Sequence, residues 1–201
     1  MNGGELNPLH GAELPTSPTS QLLPYSVRSG DLDESDQLPM HSAAFFGRFS
    51  VLSDLISRSH QGQKSRLAEK DSNGNTVLHY AVEGGDRSLG CVALLLQNKY
   101  VEKNAQNDHG LTPLHVSAMR GLESTMQALL LSGVRTDLTD AVGDTPMHVA
   151  GAARQLRCME LLKSSGASLS AKNRRGLTPF DVTPATQEAL CHAKTDCCVI
   201  G

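Results

Sequence analysis

The sequence predicts an all-α repeat solenoid, a stack of short helix pairs joined by extended hairpins, and three observations carry that prediction. The first is a recurring motif: Pro39-Met40-His41, Thr76-Val77-Leu78-His79, Thr112-Pro113-Leu114-His115, Thr145-Pro146-Met147-His148 and Thr178-Pro179-Phe180-Asp181. Its last residue falls at 41, 79, 115, 148 and 181, in steps of 38, 36, 33 and 33 residues. A period of this size marks a repeat architecture, in which each unit buries its apolar face only against its neighbours. The second observation is local: a Thr that can cap a helix, a Pro at the first helical position, and a Gly where the helix must end. The third is composition. Of 201 residues, 39% are apolar, with no Trp, three Tyr and four Phe. Such a core is built from Leu, Val, Ala and Met, which suits thin layers of small helices.

Residues 1–37 come first and show no helical or strand periodicity. Pro8, Pro15, Pro18 and Pro24 stand among Ser, Thr and Gly, and the segment closes on Asp31-Leu32-Asp33-Glu34-Ser35-Asp36. This composition predicts a disordered arm. Within it, Ser17-Pro18 has the form of a proline-directed phosphorylation site, and Ser35 lies among acidic residues.

The repeat domain is predicted over residues 38–190, and its third copy shows the physics of one unit. Thr112 caps a helix and Pro113 occupies the first position, where its missing N–H costs nothing. His115 lies in the first turn, able to bond back to the Thr and across to the neighbouring repeat. Ala118 is small because helices approach closely there. Gly121 ends the first helix, Met126, Leu129 and Leu130 form the apolar stripe of the second, and Asp137–Gly143 makes the hairpin. Loss of one cap is expected to cost about 1 kcal/mol.

The other copies follow with local departures. The first has Ala43, Ala44, Gly47, Val51, Leu52, Leu55 and Ile56 at matching offsets but no Thr cap, and a polar insertion from Arg58 to Arg66 lengthens its step. The second has Ala81, Gly85, Leu94, Leu95 and Leu96, with one extra residue between its helices and Asn98-Lys99-Tyr100 after them. In the fourth, Arg154 stands where the others have the glycine between helices, which predicts a less relaxed junction or another turn form that Arg can adopt. The fifth starts well but meets Pro184 after one turn, as a terminal cap would.

Several classes of chemistry find no support in these residues. The net charge of −3 favours neither nucleic acid nor an anionic membrane. No apolar run suits a signal peptide or a bilayer span, and Gly3 stands one place too late for myristoylation. His41, His79, His115 and His148 fill one slot in successive repeats, about 10 Å apart by ordinary helix packing. Ligands of one ion lie about 2 Å from it, so they cannot share a metal. His10, His60 and His109 fall in loops or the arm. With no phosphate loop, nucleophile elbow or zinc spacing, the expectation is a protein that is not an enzyme and holds no cofactor or metal. Cys91 and Cys158 sit at apolar helical positions and read as core residues of a reducing compartment, the cytosol or nucleus. The tail, residues 191–201, is expected to be flexible. It contains Cys191-His192 and ends Cys198-Val199-Ile200-Gly201, which has the form of a prenylation signal with Cys197 beside it for acylation, although Gly is not a usual final residue.

The Thr-Pro-Leu-His motif at a period near 33 resembles the ankyrin repeat over roughly Leu38 to Leu190. The resemblance implies helix-turn-helix repeats with connecting β-hairpin loops, four full and one partial, and it implies capture of another protein on a concave side built from first helices and hairpin tips. Carried over by offset, the exposed first-helix positions are Ser42, Phe45, Phe46, Tyr80, Glu83, Val116, Met119, Arg120, Val149, Ala152 and Ala153. Phe45, Phe46, Tyr80, Met119 and Arg120 are the expected anchors, with an arm lying over Phe45 or Phe46 as the competing expectation. Hairpin tips add Asn73, Asp108, His109, Asp140, and a basic group of Lys172, Arg174 and Arg175. The size is similar to that of small inhibitors of the I-kappa-B class, which mask transcription factors, but Arg28-Ser29-Gly30-Asp31 only partly matches their degradation signal. An adaptor or inhibitor is therefore expected, with a membrane-tethered scaffold as the alternative if Cys197 and Cys198 carry lipid.

Overall fold

A computed structural model of the chain describes residues 39–59 and 67–183. The first helices of successive repeats are α1 (Pro39–Phe45), α3 (Val77–Glu83), α5 (Pro113–Arg120) and α7 (Pro146–Ala152). The second helices are α2 (Phe49–Ser59), α4 (Leu89–Gln97), α6 (Glu123–Leu131) and α8 (Leu156–Ser164). Helices of the same kind pack in sequence, α1 on α3 on α5 on α7 and α2 on α4 on α6 on α8, so the molecule is two rows of helices. Between the rows lies the core, where Leu52, Leu78, Leu95, Leu114, Met126, Leu129, Met147 and Leu162 are all fully buried. Ala44, Ala81, Ala118 and Ala150 are also sealed, because a larger side chain would push the rows apart. Cys91 and Cys158 belong to this core, and burial raises both thiol pKa values, that of Cys158 to about 11.

The cap predicted from Thr and His repeats with nearly fixed geometry. His79, His115 and His148 each accept the backbone N–H of Thr76, Thr112 and Thr145 on Nδ1, at 3.2, 3.1 and 3.2 Å. A nitrogen that accepts an N–H carries no proton, so the proton resides on Nε2. Nε2 then donates to a carbonyl in the next repeat: Leu111 for His79 (2.9 Å), Asp144 for His115 (3.1 Å) and Leu177 for His148 (3.0 Å). One ring closes its own helix and ties it to its neighbour. The fifth copy explains itself on this scheme. Asp181 accepts from the Thr178 N–H (2.9 Å) and hydroxyl (2.7 Å), which keeps the cap. A carboxylate has no N–H to offer across to a further repeat, and the backbone over residues 178–183 forms a turn in which the Val182 N–H reaches the Thr178 carbonyl at 3.2 Å. The first copy differs: His41 is buried, has no Thr cap before it, and faces the backbone of Asn75 and Glu69. Its ring meets Tyr80 edge-on at 5.2 Å.

The junctions between paired helices require a left-handed residue. Gly47, Gly85 and Gly121 have φ of 67°, 68° and 68°, and Arg154 is held at 57° by the same hydrogen bonds. The Gln155 N–H reaches the Ala150 carbonyl (2.9 Å) as the Leu122 N–H reaches Ser117 (3.0 Å). Arg154 is thus strained, the less relaxed of the two outcomes its place in the motif allows. The extra residue of the second repeat is absorbed by a 3-10 helix, Gly85–Ser88.

The connecting loops are tight turns, with no strand among the described residues. Each closes on itself too soon for a ladder to form, as in the single pairing of the Asp140 N–H with the Asp144 carbonyl. The predicted arm (1–37), residues 60–66 of the insertion and the tail from 184 lie outside the described residues, as do Ser17, Ser35, Cys191, Cys197 and Cys198. Among the described residues no helix is long and apolar enough to cross a membrane.

Candidate partner-binding surface

The sequence points to two outward-facing sets of residues, the far ends of the first helices and the hairpin tips. Of the first-helix anchors expected from sequence, the structure removes two. Tyr80 is only 4% exposed. Its hydroxyl donates to Asp71 Oδ2 at 2.7 Å and its ring packs on His41, so it bridges to the preceding repeat. Phe45 is 6% exposed. The Arg87 guanidinium lies 5.2 Å over its ring, and the Ser88 hydroxyl donates to its carbonyl at 3.0 Å. The extra residue of the second repeat creates this cover, because the 3-10 turn carries both Arg87 and Ser88. Val149 is buried as well. These offsets face a neighbouring repeat in this stack, and they are corrected here from surface to core.

What remains on the first-helix face is Phe46, Met119 and Arg120. Phe46 is half-buried, edge-on to Phe45 at 5.1 Å and with the Arg48 guanidinium 5.6 Å from its ring centre. Met119 is half-buried. Arg120 pairs with Glu83 of the preceding repeat at 3.6 Å, with their side chains 47% and 22% exposed. Burial raises the Glu83 pKa, and the Arg120 charge opposes that rise. At this exposure the pair contributes little to stability, so Arg120 is held in place while keeping donors for a partner.

The tips share one construction. Asp71, Asn107, Asp140 and Asn173 each turn a side-chain oxygen back to accept two N–H groups of their own loop. The amides of Asn107 and Asn173 also reach the previous repeat, at Asn75 (2.9 Å) and Asp144 (2.6 Å). Asp140, which sequence placed at the surface, is 4% exposed, and burial raises its pKa. Backbone bonds stitch one tip to the next, from Asp108 to Asn73 (3.1 Å) and from Ala141 to His109 (2.9 Å). Gly110 allows that approach, since a Cβ there would stand 2.7 Å from the Ala141 nitrogen. The two residues after each anchor therefore project outward. Asp108, His109, Arg174 and Arg175 are exposed, as expected. Val142, 41% exposed, also stands at a tip, and an apolar residue at an otherwise polar offset is its signal in the sequence. Leu131 and Leu156, at 82% and 70%, are exposed on the second-helix row, where no offset rule pointed.

His79 and His115 have both ring nitrogens engaged, and burial holds each near pKa 4. Between α6 and α8 runs a shallow polar groove that includes Glu123, Gln127, Arg157 and Glu160, the last two paired at 3.0 Å. The described residues form a repeat scaffold whose outward residues vary while its inner ones repeat.

A family model of ankyrin repeats in three copies matches residues 18–107 and 87–173, which is most of the chain. The chain belongs to the ankyrin repeat family. It is 34% identical over 104 residues to ankyrin repeat domain-containing protein 13C of Xenopus tropicalis, covering 52% of this chain and 19% of that one. It is 30% identical over 91 residues to protein glp-1 of Caenorhabditis elegans, covering 44% and 7%. With the human transient receptor potential cation channel subfamily A member 1 it shares 31% over 136 residues, covering 66% and 12%. The chain thus spans less than a fifth of the length of each of these relatives. Ankyrin repeats generally mediate protein–protein interaction and generally carry no enzymatic activity.

Proposed function

We propose that this chain is an adaptor or inhibitor that captures one partner protein on its first-helix face and hairpin tips, with Phe46, Met119 and Arg120 as anchors and Asp108, His109, Arg174 and Arg175 as the polar margin. The observation that carries this reading is Arg120. Its guanidinium is oriented by Glu83 across two repeats yet stays half exposed beside Met119, and Arg with an adjacent apolar side chain is a typical energetic anchor. The test is capture from native lysate by wild type and by the double variant M119E/R120E in parallel. A protein held by wild type and lost by the variant, with both melting alike, supports the reading. Identical catches refute it for this face.

A further inference from the structure

The captured segment has a chemistry that the hairpin tips specify. This step rests on the partner-capture reading and deepens it at the hairpin tips, which that reading gives only as a polar margin. Three successive tips present side-chain pairs of distinct character: Asp108-His109, then Ala141-Val142, then Arg174-Arg175, all exposed. The pairs are held in fixed register by the turn anchors behind them and by the Asn173 to Asp144 bond of 2.6 Å.

The charge of the last tip is not neutralised within the described residues. Three other arginines have carboxylate partners: Arg120 with Glu83, Arg135 with Asp137 and Arg157 with Glu160. Arg48 and Arg87 lie over aromatic rings. Like Arg58 and Arg154, Arg174 and Arg175 have neither among the described residues, and the two stand side by side in a chain whose net charge is −3. An acidic segment is attracted to this end and is repelled by the Asp108 tip, so charge also sets its direction. Neighbouring repeats lie about 10 Å apart, and an extended chain advances about 3.3 Å per residue. One tip therefore matches about three residues of an extended peptide.

We infer that the tips bind an extended partner segment that places an aliphatic residue against Val142 and, about three residues away, a pair of carboxylates against Arg174 and Arg175. The experiment selects displayed random dodecapeptides on the full chain and on two variants, R174E/R175E and M119E/R120E, each checked by circular dichroism. On wild type, enriched peptides are expected to hold two acidic residues about three positions from a Leu, Ile, Val or Met. On R174E/R175E the acidic preference is expected to fall at least tenfold while the aliphatic one survives. No enrichment on wild type, or the same acidic motif on R174E/R175E, overturns the inference. Displacement of a selected peptide by single-stranded DNA at equal charge also overturns it, by assigning the basic tip to a polyphosphate. Retention of the motif on M119E/R120E is expected, because that variant leaves the tips intact; the first-helix reading is decided by the lysate capture, so the two ideas fail separately.

Discussion

Acidification should unfold this stack through its buried histidines, and the size of the effect follows from their bonding. His79 and His115 accept a Thr N–H on Nδ1 and donate from Nε2 to the next repeat, so a second ring proton would face an N–H donor. Burial lowers each pKa from 6.5 to about 4. The folded value is depressed, so the unfolded chain binds protons first. Their stabilisation is complete above pH 6.5 and is lost as pH falls from there towards 4. At pH 5 each ring is expected to have surrendered about 2 kcal/mol, and the pair about 4 kcal/mol. Burial lowers the His41 pKa too, which acts in the same direction. Asp140, with a raised pKa, acts in the opposite one. The assay is urea unfolding followed at 222 nm at pH 7.5 and pH 5.0. The comparison protein is H79N/H115N, whose amide oxygen can accept the Thr N–H as Asp181 does but does not titrate. Wild type should lose most of its midpoint over this range and the double variant much less. Equal losses would refute the claim that these rings carry the pH dependence.

Three further outcomes are expected. Arg154→Gly should stabilise by roughly 1 kcal/mol in thermal melts, since a left-handed non-glycine residue costs about 1–2 kcal/mol and added chain entropy offsets part of the gain; a lower melting temperature would show that the Arg side chain makes up for its backbone. Tyr80→Phe should destabilise by about 1 kcal/mol through loss of the 2.7 Å bond to Asp71 and leave partner capture intact, whereas reduced capture at unchanged stability would return Tyr80 to the surface. The thiols of Cys91 and Cys158 should react with a disulfide reagent only as fast as the stack opens, because both are buried with raised pKa values; immediate reaction in native buffer would contradict their place in the core.

The repeat was legible because its signals are local. A Thr before a helix, a Pro at its first position and a ring nitrogen three residues on satisfy orphan backbone groups within one turn, so the same letters recur wherever that turn recurs. The strain at Arg154 was legible for the same reason, since an αL position is a property of four or five consecutive residues. The candidate surface was less so. Tyr80 and Phe45 occupy offsets that a single repeat leaves open. Their burial comes from Asp71 and His41 in one case and from Arg87 in the other, and these sit in loops or in other repeats.

The sequence by itself determined the architecture: helix pairs, their junctions, the cap at the first turn of the second, third and fourth copies, and the Asp181 that replaces histidine in the fifth. Only the tertiary structure decided which side chains face out. Exposure depends on what the neighbouring repeat places opposite, and one inserted residue in the second repeat was enough to carry Arg87 over Phe45 and turn an expected anchor into core. Periodicity is written within a repeat, while burial is settled between repeats.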